Sequence, residues 1–234
     1  SFHLLLKELC KIDGIEWIRI LYCYPEEIYD ELIETIKTEP KICHYLDMPI
    51  QHASDAILKR MGRRTDRAQL TEVIQKLRTQ IPDIALRTTL ITGFPGETEK
   101  DHELLKDFVR EMRFDRLGVF TYSAEDGTPA ARFEGQIDEA VKEARRDELM
   151  AIQQEIAFEA AEAMVGRRVS VMIEGKIPED GVYIGRTYKD APNVDGYIFV
   201  RAPWEMMSGD IVPVLITGSN DYDLIGDVID ESAE

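Results

Sequence analysis

The first 135 residues repeat one pattern, in which a short apolar run precedes a longer run whose apolar residues recur at helical spacing. Strand-like runs lie at 17–22, 45–48, 84–92 and 117–123. Repeated strand–helix units predict a parallel sheet covered by helices. Four such units are too few to close a barrel. The sequence therefore predicts an α/β fold containing part of a TIM-like barrel, with open sheet edges that the complete protein covers.

Capping residues mark the expected helix starts within this part. Pro25 predicts the start of a helix over 26–37. Ser54 can cap the next helix through its hydroxyl group. Thr98 and Asp101 resemble a capping box, in which each residue satisfies a backbone N–H of the other.

The pattern changes after residue 135. Residues 136–165 predict one long closing and connecting helix, rich in Ala, Glu and Arg. Residues 166–234 contain five short strand signals separated by Gly, Asp, Asn and Pro, which predicts a small all-β barrel like the OB fold. We therefore expect three parts, 1–135, 136–165 and 166–234.

The charge balance restricts the partners that the chain can bind. Asp and Glu outnumber Lys and Arg by 45 to 28, a net charge of −17, and residues 165–234 hold 13 acidic and 6 basic residues. Such a surface repels a phosphate backbone and favours a basic protein or a small molecule. No apolar stretch long enough to span a membrane and no signal peptide is recognisable, so we expect a cytoplasmic protein.

The three cysteines do not predict a metal site. Cys10, Cys23 and Cys43 are widely spaced, and the sequence has no CxxC or CxxxCxxC. We interpret them as reduced structural thiols.

Three segments at the carboxyl ends of predicted strands carry the candidate chemistry. Gly93-Phe94-Pro95-Gly96-Glu97-Thr98 precedes a helix, so backbone N–H groups and the helix dipole can meet a ligand there. The alternative is a tight turn in which the glycines serve geometry alone. The segment 122–130 follows the last predicted strand and, taken by itself, is an ordinary loop.

The remaining segment of the three is Asp47-Met48-Pro49-Ile50-Gln51-His52, at the end of the second predicted strand. Asp47 can cap the strand end, Gln51 can bind a ribose or an amide, and His52 can act as an acid–base group or orient a ligand. A histidine that merely faces solvent before a helix is the alternative.

Taken in order, the segments 17–25, 45–52, 86–98 and 120–130 resemble the radical-SAM methylthiotransferases. Residues 165–231 are similar to the terminal TRAM domain of that family. The resemblance covers nearly the whole chain.

Two branches of the family are alternatives. Pro49-Ile50-Gln51-His52-Ala53-Ser54 resembles the RimO branch, whereas the transfer-RNA branch usually reads Pro-Val-Gln-Ser-Gly-Ser. The segments 86–89 and 191–196 resemble the RimO branch as well. This resemblance implies that a methylthio group is added to the β-carbon of an aspartate in a basic small-subunit ribosomal protein (uS12). The acidic charge of the small domain fits a basic protein substrate. We therefore expect contact with nucleic acid only through the ribosome.

The resemblance also implies cofactors. Family members bind S-adenosylmethionine at a 4Fe–4S cluster held by a CxxxCxxC motif, and a second 4Fe–4S cluster delivers sulfur. One S-adenosylmethionine methylates the sulfur, and another gives a 5′-deoxyadenosyl radical that removes hydrogen from the target carbon. Neither cluster motif occurs in these 234 residues. We therefore expect both clusters to be bound outside this chain, which would be inactive alone.

By the matched motifs, cofactor contacts are expected at Gln51 and His52 and along the segment that contains Ile91, Gly93, Phe94, Gly96 and Glu97. If the strand alternates, Arg87 points into the barrel and can pair with a carboxylate of the cofactor or of the substrate. A structural ion pair with a neighbouring strand is the alternative for Arg87.

Two further sets of residues are candidates for contacts. Phe120 and Tyr122 can line the pocket, although plain barrel core is the favoured interpretation. In the small domain the candidates for binding a basic partner are Asp190, Asp195, Asp221 and Asp223. A solvated acidic loop is the alternative for each of these four residues.

Three other functions stay open. The transfer-RNA branch would need a basic face on the small domain, for which the available residues are Arg167, Arg168, Lys176, Arg186, Lys189 and Arg201. A non-catalytic binding fragment is the second alternative. The third, a TIM-barrel lyase, would need a metal or Schiff-base site of its own, and no His/Asp/Glu cluster supports one.

Overall fold

The computed structural model describes residues 1–178 and 181–230. The chain divides into two compact units, Ser1–Ile156 and Ala157–Glu234, and the division falls inside one long helix. The first unit is a parallel α/β sheet and the second a small closed β-barrel, so the predicted fold class is confirmed. Among the described residues, no helix is long and apolar enough to cross a membrane.

The first unit is built on four parallel strands in the order β1-β2-β3-β4. Its strands are β1 (Ile18–Ile20), β2 (Ile42–Asp47), β3 (Ala85–Thr92) and β4 (Arg116–Thr121). Its helices are α1 (Phe2–Cys10), α2 (Asp30–Thr38), α3 (Asp55–Arg60), α4 (Arg67–Gln80), α5 (Glu99–Met112) and α6 (Glu139–Glu162), with short 3-10 turns at Pro25–Glu27 and Ala130–Arg132.

Side chains alternate between the two faces of this sheet. Leu46, Leu86 and Leu90 are fully buried in the core under the helices. Burying each of these side chains stabilises the folded state by roughly 1.5–3 kcal/mol. Thr89 and Ile91, which alternate with them along β3, are only partly buried on the other face. We call this second side of the sheet the open face.

Two predicted helix starts need correction. The helix predicted over 26–37 is a 3-10 turn followed by α2, because Ile28 and Tyr29 are extended and interrupt it. Helix α2 starts with Asp30 and Glu31, and their negative charges stabilise the positive N-terminal end of the helix dipole. Ser54 precedes α3 but makes no side-chain cap, because its hydroxyl group instead donates a hydrogen bond of 2.5 Å to Asp101.

The capping box at the start of α5 is confirmed. Thr98 Oγ1 accepts a hydrogen bond from Asp101 N, and the Asp101 carboxylate accepts one from Thr98 N. A second box, between Asp66 and Gln69, starts α4. Both boxes satisfy backbone N–H groups that the first helical turn leaves unpaired.

The second unit contains the five predicted strands. They are β5 (Arg168–Ile177), β6 (Val182–Thr187), β7 (Ile198–Arg201), β8 (Ile211–Asn220) and β9 (Asp223–Val228). They close in the order β5-β6-β7-β9-β8, because β8 also pairs with β5, and only the β7–β9 pair is parallel. The barrel interior is apolar, with Val171, Ile198, Val200 and Val214 fully buried.

Candidate active-site cleft

A cleft of about 470 Å³ lies at the carboxyl ends of β3 and β4. In parallel α/β folds this edge is where ligands bind. The cleft is lined by Gln51, Met61, Arg63, Thr89, Ile91, Phe94, Phe120, Thr121, Tyr122 and Ser123. Five of the predicted residues, Gln51, Ile91, Phe94, Phe120 and Tyr122, therefore meet in one cleft.

The backbone fixes Gln51 beside the end of β3. Gln51 N donates to Thr89 O at 3.0 Å, and Gln51 O accepts from Ile91 N at 2.8 Å. The residue has a positive φ of 73°. Such a backbone is uncommon for a residue with a side chain, and it occurs often at functional sites.

Aromatic side chains form one wall of the cleft. Phe94 packs edge-on against Tyr122, with ring centroids 5.1 Å apart, and against Phe133 at 6.2 Å. Phe120 is 62% exposed and stands opposite Ile91 in the β3–β4 register. The interpretation of Phe120 as plain core is therefore wrong.

Arg63 is a cleft residue that the sequence did not single out. Its Nη2 donates to Pro49 O at 2.9 Å, and its guanidinium group lies 4.7 Å from the centre of the Tyr24 ring. These contacts hold a cation at the edge of the cleft. In the sequence it is one of several basic residues in a polar turn, so no local signal distinguishes it.

The turn after β3 requires its first glycine. Gly93 has φ 71°, and a Cβ atom there would lie 2.2 Å from Lys142 Cγ. Gly93 N donates to Glu97 Oε2 at 2.7 Å, which closes the turn on itself. Gly96 is also left-handed, with φ 86°, and its N–H donates to Gly135 O.

Behind this turn lies a buried polar network. The side chains of Glu97 and His52 are both 0% exposed. Glu97 Oε1 accepts from Arg145 Nη1 at 2.9 Å, and Glu97 Oε2 lies 3.6 Å from His52 Nε2. His52 Nδ1 accepts from Ser54 N at 2.9 Å, so a neutral ring carries its proton on Nε2, facing Glu97. His52 and Glu97 thus support the turn from behind rather than line the cleft.

The alternative in which His52 faces solvent is wrong, since its side chain is fully buried.

The pKa of Asp101, close to His52, is shifted by its neighbours. Burial acts to raise the pKa of Asp101, but hydrogen bonds from Ser54 and Thr98 outweigh it and hold the pKa below its usual value. Ser54 thereby ties α5 to the segment that carries His52.

Arg87 lies on the open face, as the predicted alternation requires. Its Nη1 is 3.4 Å from Asp47 Oδ1, and the two residues are register partners on β3 and β2. Arg87 does not line the cleft itself, but Thr89, two residues further along the same face, does.

The four predicted acidic contacts of the small domain differ in their surroundings. Asp190 is 3% exposed and accepts a hydrogen bond from Thr187, so it does not face a partner. Asp195 and Asp223 are partly buried and accept from the backbone of Ala191 and Tyr197. Asp221 is exposed at a turn.

The cysteines do not form a cluster site. Cys23 and Cys43 are buried and Cys10 is partly buried, and none of them lines the cleft. Burial, with the charge of Glu27, raises the pKa of the Cys23 thiol to about 11. Among residues 1–178 and 181–230, no group of three potential metal ligands occurs.

Comparison with known proteins agrees with this architecture. The radical SAM superfamily model matches residues 1–109, and the TRAM domain model matches residues 165–229. Coproporphyrinogen III oxidase (HemN) from Escherichia coli, a radical SAM enzyme, superposes with a TM-score of 0.54 at 21% identity. That match covers 69% of this chain and 37% of HemN, and it supports the fold alone.

Curated relatives are much more similar in sequence. The chain is 69% identical over 95% of its length to the ribosomal protein uS12 methylthiotransferase RimO of Lachnoclostridium phytofermentans. It is 49% identical over 96% of its length to the enzyme of the same name in Desulfitobacterium hafniense. The chain spans about half the length of these relatives, 50% in each case. It belongs to the radical-SAM methylthiotransferase family, in the RimO branch.

Proposed function

We propose that the whole protein adds a methylthio group to the β-carbon of an aspartate in ribosomal protein uS12. The observation that carries this proposal is the 69% identity to a relative named for that activity, over 95% of the chain. The acidic balance of residues 165–234 supports a basic protein substrate over a nucleic-acid backbone.

We propose that the cleft holds S-adenosylmethionine. Its aromatic wall of Phe94 and Tyr122 suits a flat purine, Gln51 offers an amide for a ribose or a backbone group, and Arg63 offers a cation for a carboxylate. Held by these residues, S-adenosylmethionine would supply the radical chemistry needed at an unactivated carbon of the target. The residues of this chain orient the cofactor and exclude water.

We propose that Gly93 and Gly96 act through the shape of the turn, with Glu97 and His52 as positioning residues behind it. The hydrogen bond from Gly93 N to Glu97 and the ion pair between Glu97 and Arg145 fix the wall that carries Phe94. A rigid wall holds the cofactor within the small tolerance that radical transfer to a chosen carbon demands.

The radical SAM family uses a 4Fe–4S cluster, and the three cysteines here do not fit one, because they lack the CxxxCxxC spacing and lie away from the cleft. We propose that residues outside these 234 bind that cluster and a second one that delivers sulfur. These 234 residues are then inactive by themselves.

For the substrate, we propose that the acidic loops of the small domain contact uS12, chiefly through Asp221, Asp195 and Asp223. These residues lie at neighbouring turns, since Asp223 Oδ1 accepts from Tyr197 N close to Asp195 in the chain. Nucleic acid is then met only through the ribosome, and the reaction takes place in the cytoplasm.

Mass spectrometry tests the proposal. The full-length protein is reconstituted with iron, sulfide, reductant and S-adenosylmethionine and given purified uS12 and bulk transfer RNA in parallel. A gain of one methylthio group on an aspartate of uS12 is expected. The same gain on adenosine with uS12 unmodified would overturn the proposal and favour the transfer-RNA branch.

A further inference from the structure

Lys142, in the first turn of α6, lies directly behind the aromatic wall of the cleft that Phe94 and Tyr122 form. The residue is buried, with 7% of its surface exposed. Its Nζ donates to Tyr122 O at 2.9 Å and lies 3.1 Å from Glu139 Oε2. Glu139 belongs to the same helix and is 61% exposed, so Tyr122 O is the contact that ties this ammonium group to the sheet. Lysine is seldom buried without a partner of this kind.

Lys142 contacts the ends of both β3 and β4. The register of these strands ends at Thr92 and Thr121, and Tyr122 N still donates to Thr92 O at 2.8 Å. The next residue of the first segment, Gly93, then turns away with a φ of 71°. A Cβ atom at Gly93 would lie 2.2 Å from Lys142 Cγ, so the lysine side chain fills the space beside the turn. Thr92 Oγ1 also donates to Lys142 O at 3.3 Å. The lysine therefore fixes the two strand ends relative to each other.

The orientation of the Tyr122 ring depends on the same lysine. The Tyr122 hydroxyl oxygen is buried and makes no hydrogen bond with any residue in the described part of the chain. Packing holds the ring instead, edge-on against Phe94 with centroids 5.1 Å apart and with Lys142 Nζ 5.5 Å from the ring centre. A cation at this distance is attracted to an aromatic ring. Lys142 therefore restrains both the backbone and the ring of Tyr122.

We propose that Lys142 is a positioning residue for S-adenosylmethionine, because it fixes the spacing between the strand ends that carry Phe94 and Tyr122. This inference rests on the proposed function, in which these two rings face the purine of the cofactor. Lys142 acts through the wall and does not touch the cofactor, since its ammonium group is bound to Tyr122 and Glu139. A displacement of the wall by about 1 Å is enough to misplace a ligand held for reaction.

Cofactor binding measured without turnover tests this assignment. The full-length holoprotein, kept free of reductant, is titrated with S-adenosylmethionine by equilibrium dialysis. Lys142→Met keeps most of the side-chain length and removes the charge and the donors. We expect the dissociation constant to rise about tenfold, the effect of losing one charge-assisted hydrogen bond.

Lys106→Met is the matched control. The Lys106 side chain, on α5, is 13% exposed and also contacts α6, through Glu148 at 2.8 Å, but it does not line the cleft. We expect its dissociation constant for S-adenosylmethionine to stay within about twofold of the wild-type value. Urea unfolding of both variants compares the stability that each one loses.

A milder variant keeps the test decisive. Lys142→Gln is neutral and one bond shorter but still carries an amide donor, so we expect the dissociation constant to rise about threefold. It reports on Lys142 even where Lys142→Met does not fold.

An affinity for S-adenosylmethionine within about twofold of wild type in the Lys142 variants that fold would overturn the assignment and leave Lys142 a structural role alone. Equal losses in Lys142→Met and Lys106→Met would also overturn it, because they would reflect a general loosening of α6. Both results leave the proposed function standing, because that function is tested separately by wild-type modification of uS12.

Discussion

The two units solve the problem of sheet edges in different ways. In the first unit β1 and β4 are the ends of an open parallel sheet, each paired on one side among the described residues. In the second unit β8 pairs with both β9 and β5, and the barrel has no edge. The open sheet keeps a face and a strand edge available for ligands, whereas the closed barrel uses its interior for packing and leaves only loops for contacts.

Glycines reflect the same difference. Gly93 and Gly96 have positive φ values of 71° and 86°, so they shape a turn beside the cleft. Gly185 and Gly226 lie within strands, and a Cβ atom at either would come within 2.5 Å of a valine methyl group of a neighbouring strand. Glycine therefore allows a left-handed backbone at Gly93 and Gly96 and close approach of neighbouring strands at Gly185 and Gly226.

The largest expected effect is in the buried network of the open unit. Glu97→Ala leaves Arg145 buried without its closest carboxylate, so we expect a loss of about 3–5 kcal/mol in the free energy of unfolding. Urea denaturation of the full-length protein measures it. Glu99→Ala is the matched control, because Glu99 contacts the same arginine at 3.3 Å but is largely exposed. Its expected cost is under about 1 kcal/mol. Equal costs would contradict the importance assigned to the buried network.

The second prediction separates turn conformation from crowding. Gly93→Ala must adopt a left-handed backbone and displace Lys142, and we expect a cost of roughly 2–4 kcal/mol. Gly62→Ala has nearly the same φ, 74°, with no neighbour within 4 Å. It should cost only about 1–2 kcal/mol. Thermal unfolding of both variants measures the difference, and a cost for Gly62→Ala as large as for Gly93→Ala would assign the whole effect to φ.

The third prediction concerns the closed unit. In Gly226→Ala the new methyl group meets Val214 Cγ1 at 2.4 Å and Leu215 O at 2.8 Å. We expect a loss of about 1–3 kcal/mol from overpacking, measured by denaturant unfolding. Gly175→Ala, at a strand residue with nothing within 4 Å, should be neutral or stabilising by up to about 1 kcal/mol. If Gly226→Ala is also neutral, close strand approach is not what the barrel requires of this glycine.

The smallest expected effect depends on pH. The pKa of Asp101 is lowered in the folded protein, so its contribution to stability is present above the unfolded-state pKa and is lost as pH falls through the folded-state pKa. Ser54→Ala removes one of the hydrogen bonds responsible and should cost about 1 kcal/mol at neutral pH. The cost should vanish in acid.

Unfolding free energies between pH 7 and 2, with an NMR titration of the Asp101 carboxyl group over the same range, measure this effect. Ser123→Ala removes an exposed hydrogen bond to Glu125 and serves as the control, with no change in the Asp101 titration. An Asp101 pKa that stays unchanged in Ser54→Ala would contradict the assigned cause.

Local patterns predicted most of the fold. The capping box of Thr98 and Asp101 and the five strands of the small barrel lie where the sequence indicated, because both depend on neighbours in the chain. The interruption after Pro25 was missed, since apolar spacing alone does not reveal that Ile28 and Tyr29 are extended.

The site was less predictable because its contacts are long-range. Arg63 enters the cleft through Pro49 and Tyr24, neither of which is adjacent to it in sequence. The burial of His52 depends on Glu97, and that of Glu97 on Arg145. Asp190 looked like a surface acid, yet its hydrogen bond with Thr187 is buried. No window of neighbouring residues contains the partners of Arg63, His52 or Glu97, whereas Thr187 is only three residues from Asp190.

The ion pair between Glu97 and Arg145 also sets an order of events during synthesis. The two residues are separated by 48 positions. At about 5–20 residues per second, the glycine turn is made roughly 2–10 s before the guanidinium group that neutralises its carboxylate. Until then Glu97 stays hydrated, because a lone charge is not buried without a partner. The wall of the cleft is thus among the last parts of the first unit to reach its final shape, after the strands that frame it.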